Sequence, residues 1–258
     1  MHGTGYYARY AALRQLLAGF AATLRGAPFQ ILSIGAGFDT SFWQLQGSTL
    51  DIRAYTEIDV PAVCLSKARI IGRNPELMRG LQGEGARASA AEVGARFQST
   101  GPQIENLPRQ HPAAPSSALD SSPAVLKCGA YRLAAADLRH PDQVERALAA
   151  VEFDPSLPCF VLSECVLVYL EPEESAALLR QLARALPTVA SKRLLDAGWD
   201  RAGALDMNAV YRRRIERLEI FDEFEEWNLI QAHYCIALGI KDGQGVLQGF
   251  GLEHVFHS

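Results

Sequence analysis

Gln30-Ile31-Leu32-Ser33-Ile34-Gly35-Ala36-Gly37 is an apolar run that ends in a glycine turn, and Phe38-Asp39-Thr40 opens an amphipathic stretch behind it. Twenty-two residues after Gly37, a second apolar run, Ala54-Tyr55-Thr56-Glu57-Ile58-Asp59, closes on an acid. The pair reads as one βαβ unit with glycines after the first strand and a carboxylate at the tip of the second. Glycines let the main chain approach a ligand closely, and an acid about 20 residues on can accept hydrogen bonds from both hydroxyls of a ribose. The turn has no third glycine at dinucleotide spacing and no Gly-Lys-Ser/Thr, which disfavours pyrophosphate and triphosphate ligands. A nucleoside without phosphates fits better, and S-adenosylmethionine (SAM) is the common one.

Working outward, residues 5–24 place Tyr6, Tyr7, Tyr10, Leu13, Leu16, Leu17 and Phe20 at helical spacing, so a helix feeds the first strand. Pro61 suits the first turn of a helix running to about Ile71. Strand-like order returns at Tyr131–Ala136 and ends in Asp137-Leu138, followed by a helix through Val144, Ala147 and Leu148. Cys159-Phe160-Val161-Leu162-Ser163-Glu164 reads as a buried strand with an acid at its carboxyl end. Glu171-Pro172-Glu173-Glu174 then starts a helix to about Leu186, with proline and carboxylates where the helix dipole favours them.

Strands alternating with helices predict an α/β fold, a mostly parallel, doubly wound, Rossmann-like sheet. Ligands of such sheets bind outside the carboxyl ends of the strands. Gly35, Asp59, Asp137 and Glu164 each fall at that end of one of the four expected strands. Three acids on one rim suit a ligand with ribose hydroxyls, an adenine amine and a cationic methionine end.

Between the second and third strands the chain changes character. Residues 79–125 hold Pro102, Pro108, Pro112, Pro115 and Pro123, five glycines and one aromatic, Phe97. Such a segment buries too little apolar surface to offset its ordering entropy, so it is expected to be a disordered insertion in a single domain spanning 1–258, with a short helix around 86–97.

The bulk numbers exclude several classes. At 258 residues, 48% hydrophobic, 21% charged and a net charge of −4, the chain has the composition of a globular protein without a broad basic field for nucleic acid. Arg212-Arg213-Arg214 is a local exception, read as a solvated helix face. There is no signal peptide and no apolar run of about 18 residues, so neither membrane nor secretion is expected, and the compartment is read as cytoplasmic. The five cysteines form no Cys-x-x-Cys pair; Cys159, Cys165 and Cys235 sit in apolar runs as small core residues. The six histidines are scattered, and no metal site is expected.

These segments resemble the leucine carboxyl methyltransferases, SAM-dependent enzymes that methyl-esterify the C-terminal leucine of the protein phosphatase 2A catalytic subunit. The resemblance rests on Gly5-Tyr6-Tyr7-Ala8-Arg9, Ile31–Thr40, Glu57-Ile58-Asp59, Ala136-Asp137-Leu138-Arg139 and Ser163-Glu164-Cys165-Val166-Leu167-Val168-Tyr169. It continues through Arg214–Glu219, Phe221–Trp227 and His233-Tyr234-Cys235. It implies a SAM-dependent methyltransferase fold, with SAM as cofactor and the phosphatase tail as partner of a monomeric enzyme. By the same resemblance Arg9 would pair with the methionine carboxylate of SAM, and Gly35 and Gly37 would lie against the cofactor. Asp59 would bind the ribose, Asp137 and Leu138 the adenine edge and face, and Glu164 would sit near the methionine end. Arg9 and Tyr169 would orient the leucine carboxylate, and no acid or base is expected in the chemistry.

Against the family's pattern, two segments are expected to be missing. One is an N-terminal arm. The other is a strand and helix of the family between the equivalents of Leu186 and Ser191, where this chain has only Pro187-Thr188-Val189-Ala190. The sheet is therefore expected to lack one central strand, beside the strand that ends at Glu164. Two alternatives stand beside the main reading. One is the related carboxyl methyltransferase-like domain of wybutosine-synthesising enzymes of transfer RNA. The other is a catalytically impaired variant that only binds SAM or phosphatase.

Overall fold

The computed structural model describes residues 3–82, 123–185, 199–206 and 235–257. The chain forms two compact units: Met1–Phe29 with Pro155–Val161 and Ser175–Ser258, and Gln30–Asp154 with Leu162–Glu174.

In the first unit, helix α1 (Gly3–Thr23) buries Ala12, Leu16, Leu17 and Phe20. Phe20 meets Phe29, Phe160 and Phe250 with ring centroids 5.5, 5.5 and 5.8 Å apart. Such offset and edge-on contacts add to the area that the rings bury. Tyr10, placed by its spacing on the same stripe, is half exposed and lies under the Arg14 guanidinium.

The second unit holds most of the expected sheet. Its elements, in chain order, are β1 (Phe29–Ile34), α2 (Ser41–Gln44), β2 (Ile52–Asp59), α3 (Pro61–Arg73) and α4 (Pro75–Gln82). They continue with β3 (Ala124–Cys128), β4 (Tyr131–Ala135), α5 (Pro141–Ala150) and a 3-10 turn at Leu167–Tyr169; β5 (Cys159–Ser163) has its first three residues in the first unit and its last two in the second, and most of α6 (Pro172–Ala185) belongs to the first. All six residues of β1 are buried, as a central strand requires. The strand order is β3-β4-β2-β1-β5. β2 and β4 pair in parallel from Tyr55↔Tyr131 to Asp59↔Ala135, and β3 folds back antiparallel on β4. The four strands expected from sequence thus run third, second, first, fourth across a mostly parallel sheet, the doubly wound Rossmann-like order with its switch point between β1 and β5. Among the described residues β5 is an edge of this sheet. Residues 186–198 lie outside the described ones.

The remaining described elements belong to the first unit: β6 (Arg201–Asp206), β7 (Cys235–Ile240) and α7 (Leu252–His257). β6 and β7 form an antiparallel pair, Arg201↔Ile240 to Asp206↔Cys235. Arg201 ties that pair down by donating to the carbonyls of Leu247 and Phe250 at 2.9 and 3.2 Å. Trp199 is buried and donates its indole N–H to Leu179 O at 3.3 Å.

Several expectations need correction. The stretch after the glycine turn is only the four-residue α2, with Thr40 at its N-cap; Asp39 before it accepts from Ser41 N and Oγ, and Gly47 at φ +76° follows it. Both ends of the segment 79–125 are ordered. Arg79–Gln82 complete α4, where Gly80 packs under Trp43, and Ala124-Val125 begin β3. Residues 83–122, including the helix expected at 86–97, lie outside the described residues, as do Arg212–Arg214 and the family blocks from Arg214 to Tyr234. The strand at 159–163 is buried only at Cys159, since an edge strand leaves Phe160–Leu162 half covered. Cys165 and Cys235 are exposed: Cys165 sits at φ +53° in the loop beyond β5, and Cys235 begins β7. The buried cysteines are Cys64, Cys128 and Cys159.

Candidate functional site at the carboxyl ends of the strands

The end of β1 stays bonded to the end of β2: Gly35 N donates to Ile58 O at 2.7 Å. The chain then turns through Gly35 (φ +63°) and Gly37 (φ +51°), backbone that L side chains adopt only at a cost. The two glycines differ in their surroundings. A Cβ on Gly35 would fall 2.4 Å from Cγ2 and 2.9 Å from Cγ1 of Val166, in the loop beyond β5. Gly35 is therefore needed for packing across the switch point. A Cβ on Gly37 would meet nothing within 4 Å, so that side of the turn is open.

Asp59 holds this turn. Its Oδ2 accepts from Gly37 N at 2.7 Å and its Oδ1 from Val60 N at 2.7 Å, while Ala136 N donates to Asp59 O at 2.9 Å. Each carboxylate oxygen has capacity for a further donor beyond its backbone N–H. Asp137 follows β4 and is bracketed by Arg139, which gives its main-chain N–H to Oδ1 at 3.0 Å and its Nε to Oδ1 and Oδ2 at 2.9 and 3.0 Å. These bonds hold the Asp137 carboxyl below its usual range. Leu138 beside it is 7% exposed.

The loop after β5 presents Glu164 and Tyr169 outward. Tyr169 is 83% exposed and Val168 77%; on the neighbouring turns Phe38 is 57% and Val60 37% exposed. Gly35, Gly37, Asp59, Asp137, Leu138, Glu164 and Tyr169 all belong to the second unit. Arg9 lies half-buried on α1 in the first.

Beneath the rim lies a group that the sequence reading passed over. Glu57 is fully buried inside β2, ion-paired to Lys67 of α3 and accepting from Tyr131 Oη at 2.6 Å. Lys67 Nζ also donates to the carbonyl of Asp39, at the exit of the glycine turn, at 2.8 Å. Burial pushes the Glu57 carboxyl up to about 7, with the Lys67 ammonium pulling the other way. Burial likewise raises the Tyr131 and Tyr55 hydroxyls. The signal was present in the sequence. Cys64, Lys67, Ala68 and Ile71 form one helical stripe, and a lysine on an apolar stripe has to find a partner.

A profile of the family described as leucine carboxyl methyltransferase matches residues 2–183. The leucine carboxyl methyltransferase 1 homolog of Arabidopsis thaliana is 32% identical to this chain, covering 96% of it and 79% of that protein. That alignment runs over 295 positions, more than the chain's own 258, so the relative carries internal residues with no counterpart here. Leucine carboxyl methyltransferase 1 of Rattus norvegicus is 28% identical, over 93% of this chain and 77% of its own length. The tRNA wybutosine-synthesizing protein 4 of Homo sapiens is 33% identical over 90% of this chain, which spans only 37% of that protein. With the match covering well over half of its length, the chain belongs to the leucine carboxyl methyltransferase family.

Proposed function

We propose that the chain uses SAM to methyl-esterify the C-terminal leucine carboxylate of the protein phosphatase 2A catalytic subunit. The observation that carries the cofactor reading is the Asp59 clamp. A carboxylate at the tip of β2 is fixed by Gly37 and Val60, beside a turn whose Gly37 side is open. That geometry fits a ribose with two vicinal hydroxyls. Asp137 and Leu138 would serve the adenine, Glu164 the methionine end and Arg9 the methionine carboxylate. Tyr169, exposed beyond β5, is the candidate for orienting the substrate.

Bound SAM supplies an electrophilic methyl group on a sulfonium. The protein's task is correspondingly small. An α-carboxyl group has a pKa of roughly 3.3–3.7, so the leucine carboxylate is ionised at neutral pH and no residue has to remove a proton. What remains is to bring the carboxylate oxygen in line with the methyl group and hold it there, an effect of position and orientation.

The test is transfer of labelled methyl from SAM to a phosphatase catalytic subunit, with its terminal leucine deleted as the control. Labelling of the full-length subunit alone is expected. Labelling that persists on the deleted form refutes the substrate. A second reading is the wybutosine branch, favoured by the 33% identity to the human relative, and labelling of transfer RNA in place of phosphatase would select it. Binding of SAM without transfer to either substrate would leave a cofactor-binding chain, the outcome that its missing internal positions motivate.

A further inference from the structure

We propose that Lys67 is a positioning residue for the glycine turn, with Glu57 as the counter-charge that lets a lysine work inside the core. The proposal rests on the reading of this turn as the SAM site. Lys67 is 4% exposed, on the face of α3 that also buries Cys64, Ala68 and Ile71. Its ammonium makes two contacts of different kinds. One, to Glu57, neutralises it; the other, to the carbonyl of Asp39, reaches out of the core into the turn.

Asp39 is where the turn leaves the rim. Its N–H donates to Ala36 O at 3.0 Å, and its carboxylate accepts from Ser41 N and Oγ at the start of α2. The turn is thus pinned at two points: Gly37 by Asp59 and Asp39 by Lys67, with exposed Phe38 between them.

Stability alone does not account for the pair. A buried ion pair usually does no better than apolar side chains of the same volume, because desolvation offsets the attraction. This pair is also incompletely satisfied, since Glu57 Oε1 is buried without a hydrogen-bond partner. Glu57 faces Lys67 and Cys64 from α3, Tyr131 from β4, Tyr55 from its own strand and Asp39 from the turn. Lys67 is the only cation among these groups, and only its bond to Asp39 serves the rim.

The experiment compares Lys67→Met with the double variant Glu57→Gln/Lys67→Met, which removes the carboxylate left unpaired. Thermal midpoint, SAM affinity by calorimetry and amide hydrogen exchange of Gly37–Thr40 without ligand are measured. Lys67→Met is expected to lower the midpoint and weaken SAM at least fivefold. The double variant should regain most of the midpoint while affinity stays at least fivefold down and exchange at the turn stays at least tenfold faster than in the parent. A folded double variant with parental exchange at the turn overturns the proposal, and so does one that regains SAM affinity to within twofold. If the parent chain binds no SAM, the cofactor reading fails by itself, and the exchange measurement still decides whether Lys67 holds the turn.

Discussion

Replacing Gly35 by alanine tests the packing across the switch point. Two costs combine. The residue sits at φ +63°, where an L side chain costs roughly 1–2 kcal/mol. Its new Cβ would also lie 2.4 Å from Val166 Cγ2 and 2.9 Å from Cγ1. Valine is stiff at χ1, so the clash cannot be relieved by a free rotation, and overpacking of this kind costs about 1–3 kcal/mol. The expected loss is therefore about 2–5 kcal/mol, a large share of the roughly 5–15 kcal/mol that holds a domain together. Gly37→Ala is the matched control. It has the same handedness problem, at φ +51°, but no neighbour within 4 Å, so about 1–2 kcal/mol is expected. Urea titrations of both variants, followed by tryptophan fluorescence and circular dichroism, give the difference directly. Adding Val166→Ala to Gly35→Ala should recover part of the gap. Equal losses for the two glycine variants, within about 0.5 kcal/mol, would refute the claim that Val166 dictates glycine at position 35, because overpacking predicts at least 1 kcal/mol between them.

Other expectations follow from the site. Asp59→Ala removes two charge-assisted acceptors worth roughly 1.5–3 kcal/mol each, so SAM affinity by calorimetry should fall at least tenfold. Arg53→Ala, which loses only a solvent-exposed pair with Asp51, should stay within twofold. Burial raises the folded Glu57 carboxyl from 4.5 to about 7, so between those values the folded state binds more protons than the unfolded one. Stability is therefore lost as pH rises through that window; Glu57→Gln should flatten the dependence measured by urea midpoints at pH 5 and pH 8. Asp137 is held low by Arg139, so its stabilising share is present above its unfolded pKa and lost on acidification. Arg139→Ala should raise the Asp137 titration midpoint measured by NMR, yet cost about 1 kcal/mol or less because the Arg139 side of the pair is more than half exposed.

The parallel strands were legible because a buried strand is a mostly apolar run, and those of β1, β2 and β4 lead into glycine or acid. Helices α3, α5 and α6 carry proline in their first turns, a signal that survives any tertiary context. The hairpin of β3 on β4 was missed: Ala124–Cys128 borders a proline- and glycine-rich segment, and only Gly129-Ala130 marks the turn. The length of α2 was not legible, because an apolar pair such as Phe42-Trp43 fits many helical lengths and only Gly47 marks a stop. Within the site, the acids at the strand ends could be placed by counting. Val166 against Gly35 could not, because that contact joins loops far apart in sequence and no local pattern encodes it. The Glu57–Lys67 pair lay between these cases, visible as a charge on an apolar stripe but not assignable to a partner.

On the proposed cofactor reading, the Asp59 clamp bears on kinetics as well as on affinity. Its carboxylate is held by the main-chain N–H groups of Gly37 and Val60, so the fold itself sets the direction of the acceptor. A nucleoside that docks there meets its hydrogen-bonding partner already aimed, and little ordering entropy remains to be lost on contact. Arrival is then a matter of diffusion and orientation, and residence time becomes the quantity that the turn controls. Variants that loosen Gly37 or Asp39 should let the cofactor leave sooner while it arrives about as fast.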